Sequence, residues 1–145
     1  MSLADWQEDD HLRKHKSSPQ EIADLFKVAE RDLADCQVPD ISNDRKFAIA
    51  YNAALQFANI ALHAEGYRAV GEGQHYRTFQ SLAYTLNYDN DLVSIFDKFR
   101  KKRNITDYQQ AGIVTAKEVD EILRLTKRLR KDVTSWLKDK HTDLL

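Results

Sequence analysis

The chain has 145 residues, 42% of them hydrophobic and 31% charged, with only four Gly and two Pro; that is enough for one hydrophobic core, too little for two comfortable domains, and short of the turn residues a sheet protein needs. No run approaches about 18 uninterrupted apolar residues, and the opening MSLADWQEDDHLRKHK lacks the apolar region of a signal peptide, so a cytoplasmic protein without membrane spans is expected. The formal net charge of -1 says little about partners, but from Lys98 to Lys131 eleven Lys and Arg stand against four acidic residues, a net +7 that leaves -8 for the remainder.

Residues 1–17 are polar with scattered Leu3, Trp6 and Leu12, and fit either a loosely docked helix or a frayed tail with no assigned function. His11 and His15 are four apart, but two ligands in a charged tail lack the third and fourth that a metal site needs. No metal and no cofactor is therefore expected. A helix begins after Ser18, because Ser18, Pro19 and Glu21 occupy the cap, first and third positions of a capping box. Ile22, Leu25, Phe26, Ala29 and Leu33 then recur at three- and four-residue spacing, one apolar stripe ending near Cys36. Cys36 is the single cysteine, which excludes an internal disulfide; its apolar surroundings predict a buried thiol, in keeping with a reducing compartment.

Ser42 is a suitable cap for a second helix running to about Glu65 and stopped by Gly66. Phe47, Ala50, Tyr51, Ala54, Leu55, Phe57, Ala58, Ala61 and Leu62 make it apolar around most of its circumference, as a central helix surrounded by neighbours must be. Val70 to Gly73 reads as a loop whose Gly-Glu-Gly is too short, and lacks the preceding strand, for a dinucleotide fingerprint. A third helix is predicted over His75 to Leu86, with His75 near its start in a capping or solvent role. Leu92, Val93, Ile95, Phe96 and Phe99 open a fourth helix that runs into the basic segment. Thr115 with Glu118 forms a second capping box before a last helix whose apolar face includes Val119, Ile122, Leu129, Val133 and Leu137, and whose other face carries Arg124, Lys127, Arg128, Arg130 and Lys131. No strand-like alternation and no 20- to 50-residue repeat is visible. The expected architecture is an all-α antiparallel, up-and-down bundle of four to five helices over residues 18–138, with 139–145 as a C-terminal tail.

Between the fourth and last helices lies Arg100, Lys101, Lys102, Arg103, Asn104, Ile105, Thr106, Asp107, Tyr108. If the fourth helix continues, Arg100 and Arg103 project from one face with Asn104 one turn beyond Arg100, and two guanidinium groups beside an amide can grip a phosphate. The alternative is structural: an Arg103–Asp107 pair, four apart, that ends the helix. A basic segment on an acidic body is likewise either a phosphate or nucleic-acid footprint or a solvated helix face.

The run RKKRNITDY before a final amphipathic helix, together with Tyr51-Asn52-Ala53-Ala54-Leu55 in an Ala-rich helix, resembles the HEPN superfamily, and within it the small prokaryotic proteins with Arg-Asn-x-x-Asp-Tyr before the last helix. The resemblance spans roughly residues 18 to 138. It implies a helical bundle that forms a homodimer with the two motifs facing a shared cleft. Many members are metal-independent ribonucleases, often in toxin–antitoxin or defence modules; others are the helical partner of a nucleotidyltransferase, and in some of these a tyrosine near the motif is a modification target. The ribonuclease motif is an Arg followed, after roughly four to six residues, by a His that moves the proton while Arg stabilises the phosphorane.

At the decisive position this chain has Tyr108, and the only His downstream is His141. Unperturbed Tyr titrates near ~10 and Asp near ~3.9, so neither Tyr108 nor Asp107 is poised near neutrality. Any retained catalysis would rest on Arg103 and Tyr108, with a Tyr108 pKa lowered by the neighbouring cations. Binding asks less: Arg100, Arg103, Asn104, Asp107 and Tyr108 form the candidate ligand-contacting set, with Tyr108 stacking on a base or donating its hydroxyl. Three readings follow: a nucleotide- or RNA-binding protein, a metal-independent endoribonuclease, and a regulatory module docking Arg124, Arg128 and Lys131 on an acidic partner.

Overall fold

Side-chain caps set where this chain enters its helices. In the computed structural model, which describes residues 2–145, Ser2 caps α1 (Leu3–Glu8) by accepting from Asp5 N at 3.1 Å. A short strand β1 (Leu12–Lys14) follows. Ser18 caps α2 (Pro19–Asp35), with Pro19 at the first helical position, and Ser42 caps α3 (Asn43–Ala64). Gly66 then adopts φ +92°, the left-handed conformation that ends the helix without a Cβ clash. The strand β2 (Tyr67–Ala69) pairs antiparallel with β1, setting Leu12 opposite Ala69 and Arg13 opposite Arg68.

Helices α4 (Gln74–Gln80) and α5 (Leu82–Thr85) stand where the sequence predicts one continuous third helix. The break has a local cause: the hydroxyls of Thr78, Ser81 and Thr85 are buried and donate to the carbonyls of Gln74, Thr78 and Ser81, bonds that bend helices. Asp89 caps α6 (Asn90–Tyr108) at 2.8 Å from Leu92 N. The capping box of Thr115 and Glu118 opens α7 (Ala116–Lys140), with both reciprocal bonds formed. A turn of 3₁₀ helix over Thr142–Leu144 follows.

The fold is an all-α helical bundle built on α3. Phe47, Ala50, Tyr51, Ala54, Phe57, Ala58 and Ala61 are all buried, and α2 and α7 pack along α3 with α4, α5 and α6 covering the rest. Small Ala side chains allow that close approach. Cys36 is buried against this core and donates to Leu33 O at 3.2 Å; burial pushes its thiol up to about 11. No described helix is long and apolar enough to cross a membrane.

Both ends differ from a bundle with loose tails. Leu3 and Leu12 are buried with Leu62 in a second small cluster that Trp6, Tyr67 and Ala69 flank, and Trp6 meets Tyr84 edge-on at 5.1 Å. Strands of three residues are too short to display an alternating pattern, so the pair escapes a reading by periodicity. At the other end Leu144 is buried against the main core.

Candidate functional site

Helix α6 divides into two functional halves. Its first half inserts Leu92, Val93, Phe96 and Phe99 into the core. Phe96 stacks on Phe79 of α4 at 5.5 Å, Phe99 meets Phe47 of α3 edge-on at 5.8 Å, and Phe79 packs on Tyr51 at 5.6 Å. This aromatic joint fixes the second half of α6 beside the start of α4. The segment from Arg100 to Tyr108 is helical throughout, so Arg100, Arg103, Asn104 and Asp107 share one face.

The four consecutive cations are each matched locally. Arg100 Nε donates to Asp97 Oδ1 at 2.8 Å and Lys101 Nζ sits 3.3 Å from Asp97 Oδ2. Lys102 reaches Glu118 of α7 at 3.2 Å. Arg103 Nε approaches Asp107 Oδ2 to 2.9 Å without hydrogen-bond alignment, so charge alone holds that pair. The Arg103 guanidinium also lies over the Tyr51 ring, 5.3 Å from its centroid, and that of Arg100 over Tyr76 at 5.5 Å.

Arg100 and Asn104 line a cleft of about 330 Å³ together with Gly71, Glu72, Gly73, Gln74, His75 and Tyr76. Gly73 takes φ +77° at the turn into α4, a conformation that favours glycine. Two members of the sequence-predicted set, Arg100 and Asn104, thus meet at a cavity, with Arg103 behind them on Tyr51. Asp107 is the counter-ion of Arg103. Tyr108 is 75% exposed and lies outside the cleft lining.

Sequence reasoning gave His75 a capping or solvent role, yet it lines this cleft, and Gly73 holds the cap position of α4. Its Nδ1 lies 3.1 Å from the hydroxyl of fully buried Tyr51. Burial, then the charges of Arg103 and Arg100, lower the His75 pKa, so the imidazole is neutral near neutrality. Burial pushes the Tyr51 hydroxyl up to about 12, against the pull of the two Arg charges. When that protonated hydroxyl donates to Nδ1, Nε2 carries the imidazole proton. No spacing rule links positions 51, 75 and 100; the signal is a His at the start of α4 and a Tyr inside α3 that only packing brings together. Glu72 lines the same cleft, so its charge is mixed.

The basic face of α7 mainly ties helices together. Arg130 pairs with Glu30 of α2 at 3.1 Å, Lys127 donates to Gln37, and Arg128 lies over the Tyr88 ring and 3.5 Å from Asp132. Arg124 and Lys131 are exposed.

Fold and site together define an all-α bundle protein with a mixed His–Arg cleft between the start of α4 and the second half of α6. No protein-family model, no curated protein and no solved structure matches the chain.

Proposed function

We propose that this chain is a HEPN-like, cytoplasmic helical-bundle protein that binds a nucleotide or RNA through the cleft at the end of α6, acting as a homodimer and in partnership with a nucleotidyltransferase or within a toxin–antitoxin or defence module. The observation that carries the binding reading is the convergence of Arg100, Asn104 and His75 on one cavity. Asp97 engages Arg100 through Nε, which leaves the two terminal nitrogens for a phosphate. Asn104 adds an amide, and Tyr76, 39% exposed beneath Arg100, offers a face on which a base can stack. The partner and the dimer rest on the family resemblance alone.

A second reading, a metal-independent endoribonuclease, is favoured by His75. The family's His is missing after Arg103, but a neutral imidazole from α4 stands beside the same pair of Arg residues. In the tautomer whose Nδ1–H donates to the Tyr51 hydroxyl, Nε2 is free to take the ribose 2'-hydroxyl proton while Arg100 stabilises charge on the phosphorane.

One experiment separates the readings: fluorescence anisotropy with a labelled oligoribonucleotide, followed by gel analysis of the same samples. Arg100→Ala is expected to weaken binding by about tenfold and to lower the salt slope by about one. His75→Gln should weaken binding at neutral pH less than Arg100→Ala does; cleavage abolished in that variant at oligonucleotide concentrations that saturate binding supports the nuclease. Binding that ignores both salt and Arg100 removes the phosphate reading.

A further inference from the structure

A cleft larger than the one beside Arg100 lies elsewhere, at the junction of the N-terminal arm with the C-terminal end of α3. It encloses about 690 Å³ and is lined by His15, Lys14, Lys16, His63, Glu65 and His141, among others. Two side chains of its wall, His15 from just after β1 and His63 from the last turn of α3, converge there with Glu21, which stands behind the lining on the first turn of α2. Glu21 Oε1 lies 2.6 Å from His15 Nε2 and 3.2 Å from His63 Nδ1. The two imidazole rings are 4.7 Å apart, and all three donor atoms fall within 4.8 Å of one another.

Glu21 is the residue that the capping-box pattern assigns to the N-terminus of α2. Ser18 does accept from Glu21 N at 3.1 Å, but the Glu21 carboxylate turns to the two histidines instead. The backbones beneath the cluster are fixed by bonds that do not involve its side chains. His15 N donates to Gly66 O at 2.8 Å, and Ser17 Oγ donates to His63 O at 2.8 Å. The three donors are therefore presented by a frame that exists without them, the preorganisation that a metal site requires.

We infer that His15, Glu21 and His63 form a binding site for a divalent transition ion of the zinc type, with a fourth coordination position open to the cleft. Two imidazole nitrogens and one carboxylate oxygen are the ligand set of an open tetrahedral zinc site. Bond lengths of about 2.0–2.2 Å to a tetrahedral ion place its ligand atoms roughly 3.3 Å apart, so closing the cluster needs side-chain adjustments of an ångström or so. The neighbourhood also selects against hard cations. Lys14 and Lys16 line the cleft and offset the charges of Glu65 and Asp143, so the surroundings add no net negative charge to the single carboxylate of Glu21. Imidazole coordination favours zinc over magnesium or calcium.

The test is calorimetric titration of the full chain, carrying no histidine tag and freed of metal by chelator, with Zn²⁺ and separately with Mg²⁺. One Zn²⁺ per chain is expected, with Mg²⁺ in excess failing to displace it. His15→Gln and His63→Gln should each weaken Zn²⁺ binding by about a hundredfold or more. Imidazole NMR resonances of the unmodified protein provide a readout that does not depend on any variant folding: those of His15 and His63 shift on Zn²⁺ addition while that of His75 stays. Zn²⁺ binding that survives both substitutions, displacement by Mg²⁺, shifts confined to His11 or His141, or no Zn²⁺ uptake overturns the site.

Discussion

The basic end of α6 and the His15–Glu21–His63 cluster stand in opposite relation to the sequence. In α6 the charges are adjacent in the chain, and most are engaged with carboxylates three or four residues away or on the next helix. Pairs of this kind contribute a few tenths of a kcal/mol each on an exposed helix. The chemistry left over is the end of Arg100, the Asn104 amide and an imidazole from a different helix. In the cluster, positions 15, 21 and 63 give no run or spacing to notice, yet their donor atoms meet within 4.8 Å. Density of charge along a chain is thus a poor measure of what is free to act; convergence in space is the better one.

The sharpest way to break the comparison is at the aromatic joint. Phe96 is 1% exposed, stacked on Phe79 and near-parallel to Tyr88, and supports the α6 cleft from the main core. Phe96→Ala is expected to cost about 3–5 kcal/mol of stability by urea unfolding. Phe96→Leu, which keeps more of the volume, should cost less and remain folded. In that milder variant, oligonucleotide affinity falls while Zn²⁺ uptake persists. Loss of both together would show that the two regions are one mechanical unit.

A smaller effect comes from pH. The His75 pKa is lowered from 6.5 in the folded chain, so the native state resists protonation that the unfolded state accepts. The associated stability is complete above pH 6.5 and declines as pH falls through that value toward the folded pKa. Urea midpoints at pH about 7.5 and about 5.5 should therefore differ less in His75→Gln than in the parent. An unchanged difference would mean that His75 is not held neutral by burial and the Arg pair. Nucleotide binding has the opposite sign: a bound phosphate favours the imidazolium, so affinity rises as pH falls.

Much of the fold was legible because its signals are local. Ser18, Ser42 and Thr115 act as helix caps where the pattern places them, and Gly66 ends α3. The Ala-rich helix is the centre of the core, and Cys36 is buried. What escaped has a physical reason in each case. The three-residue strands carry no measurable period. The third helix breaks because buried hydroxyls of Thr78, Ser81 and Thr85 bond back to their own chain. Leu3, Leu12 and Leu144 looked like scattered apolar residues in tails, and only Leu62 and the α2–α7 core reveal what they cover. Of the predicted site residues, Arg100 and Asn104 reach the cleft because α6 continues past Phe99, whereas Tyr108 at its end is exposed and outside that lining. His75 and the diverted carboxylate of Glu21 required the packed structure, since each finds its partner across more than one element.

The smallest predicted effect decides whether the cleft or the mere abundance of cations attracts a polyanion. Lys101 lies one residue from Arg100, shares Asp97 with it, and is 65% exposed. Removing it should change stability by less than about 0.5 kcal/mol, because an exposed pair is screened and its side chains regain freedom. Its loss leaves Asp97 to Arg100 alone, which holds the guanidinium more firmly and keeps its terminal nitrogens at the cleft. Lys101→Ala is therefore expected to alter oligonucleotide affinity by less than about threefold, while lowering the salt slope by less than Arg100→Ala does. Anisotropy titrations at two salt concentrations measure both quantities. Equal losses in the two variants would make binding a property of diffuse positive charge, and the distinction between a charged helix and a constructed site would then fail for α6 while standing for His15, Glu21 and His63.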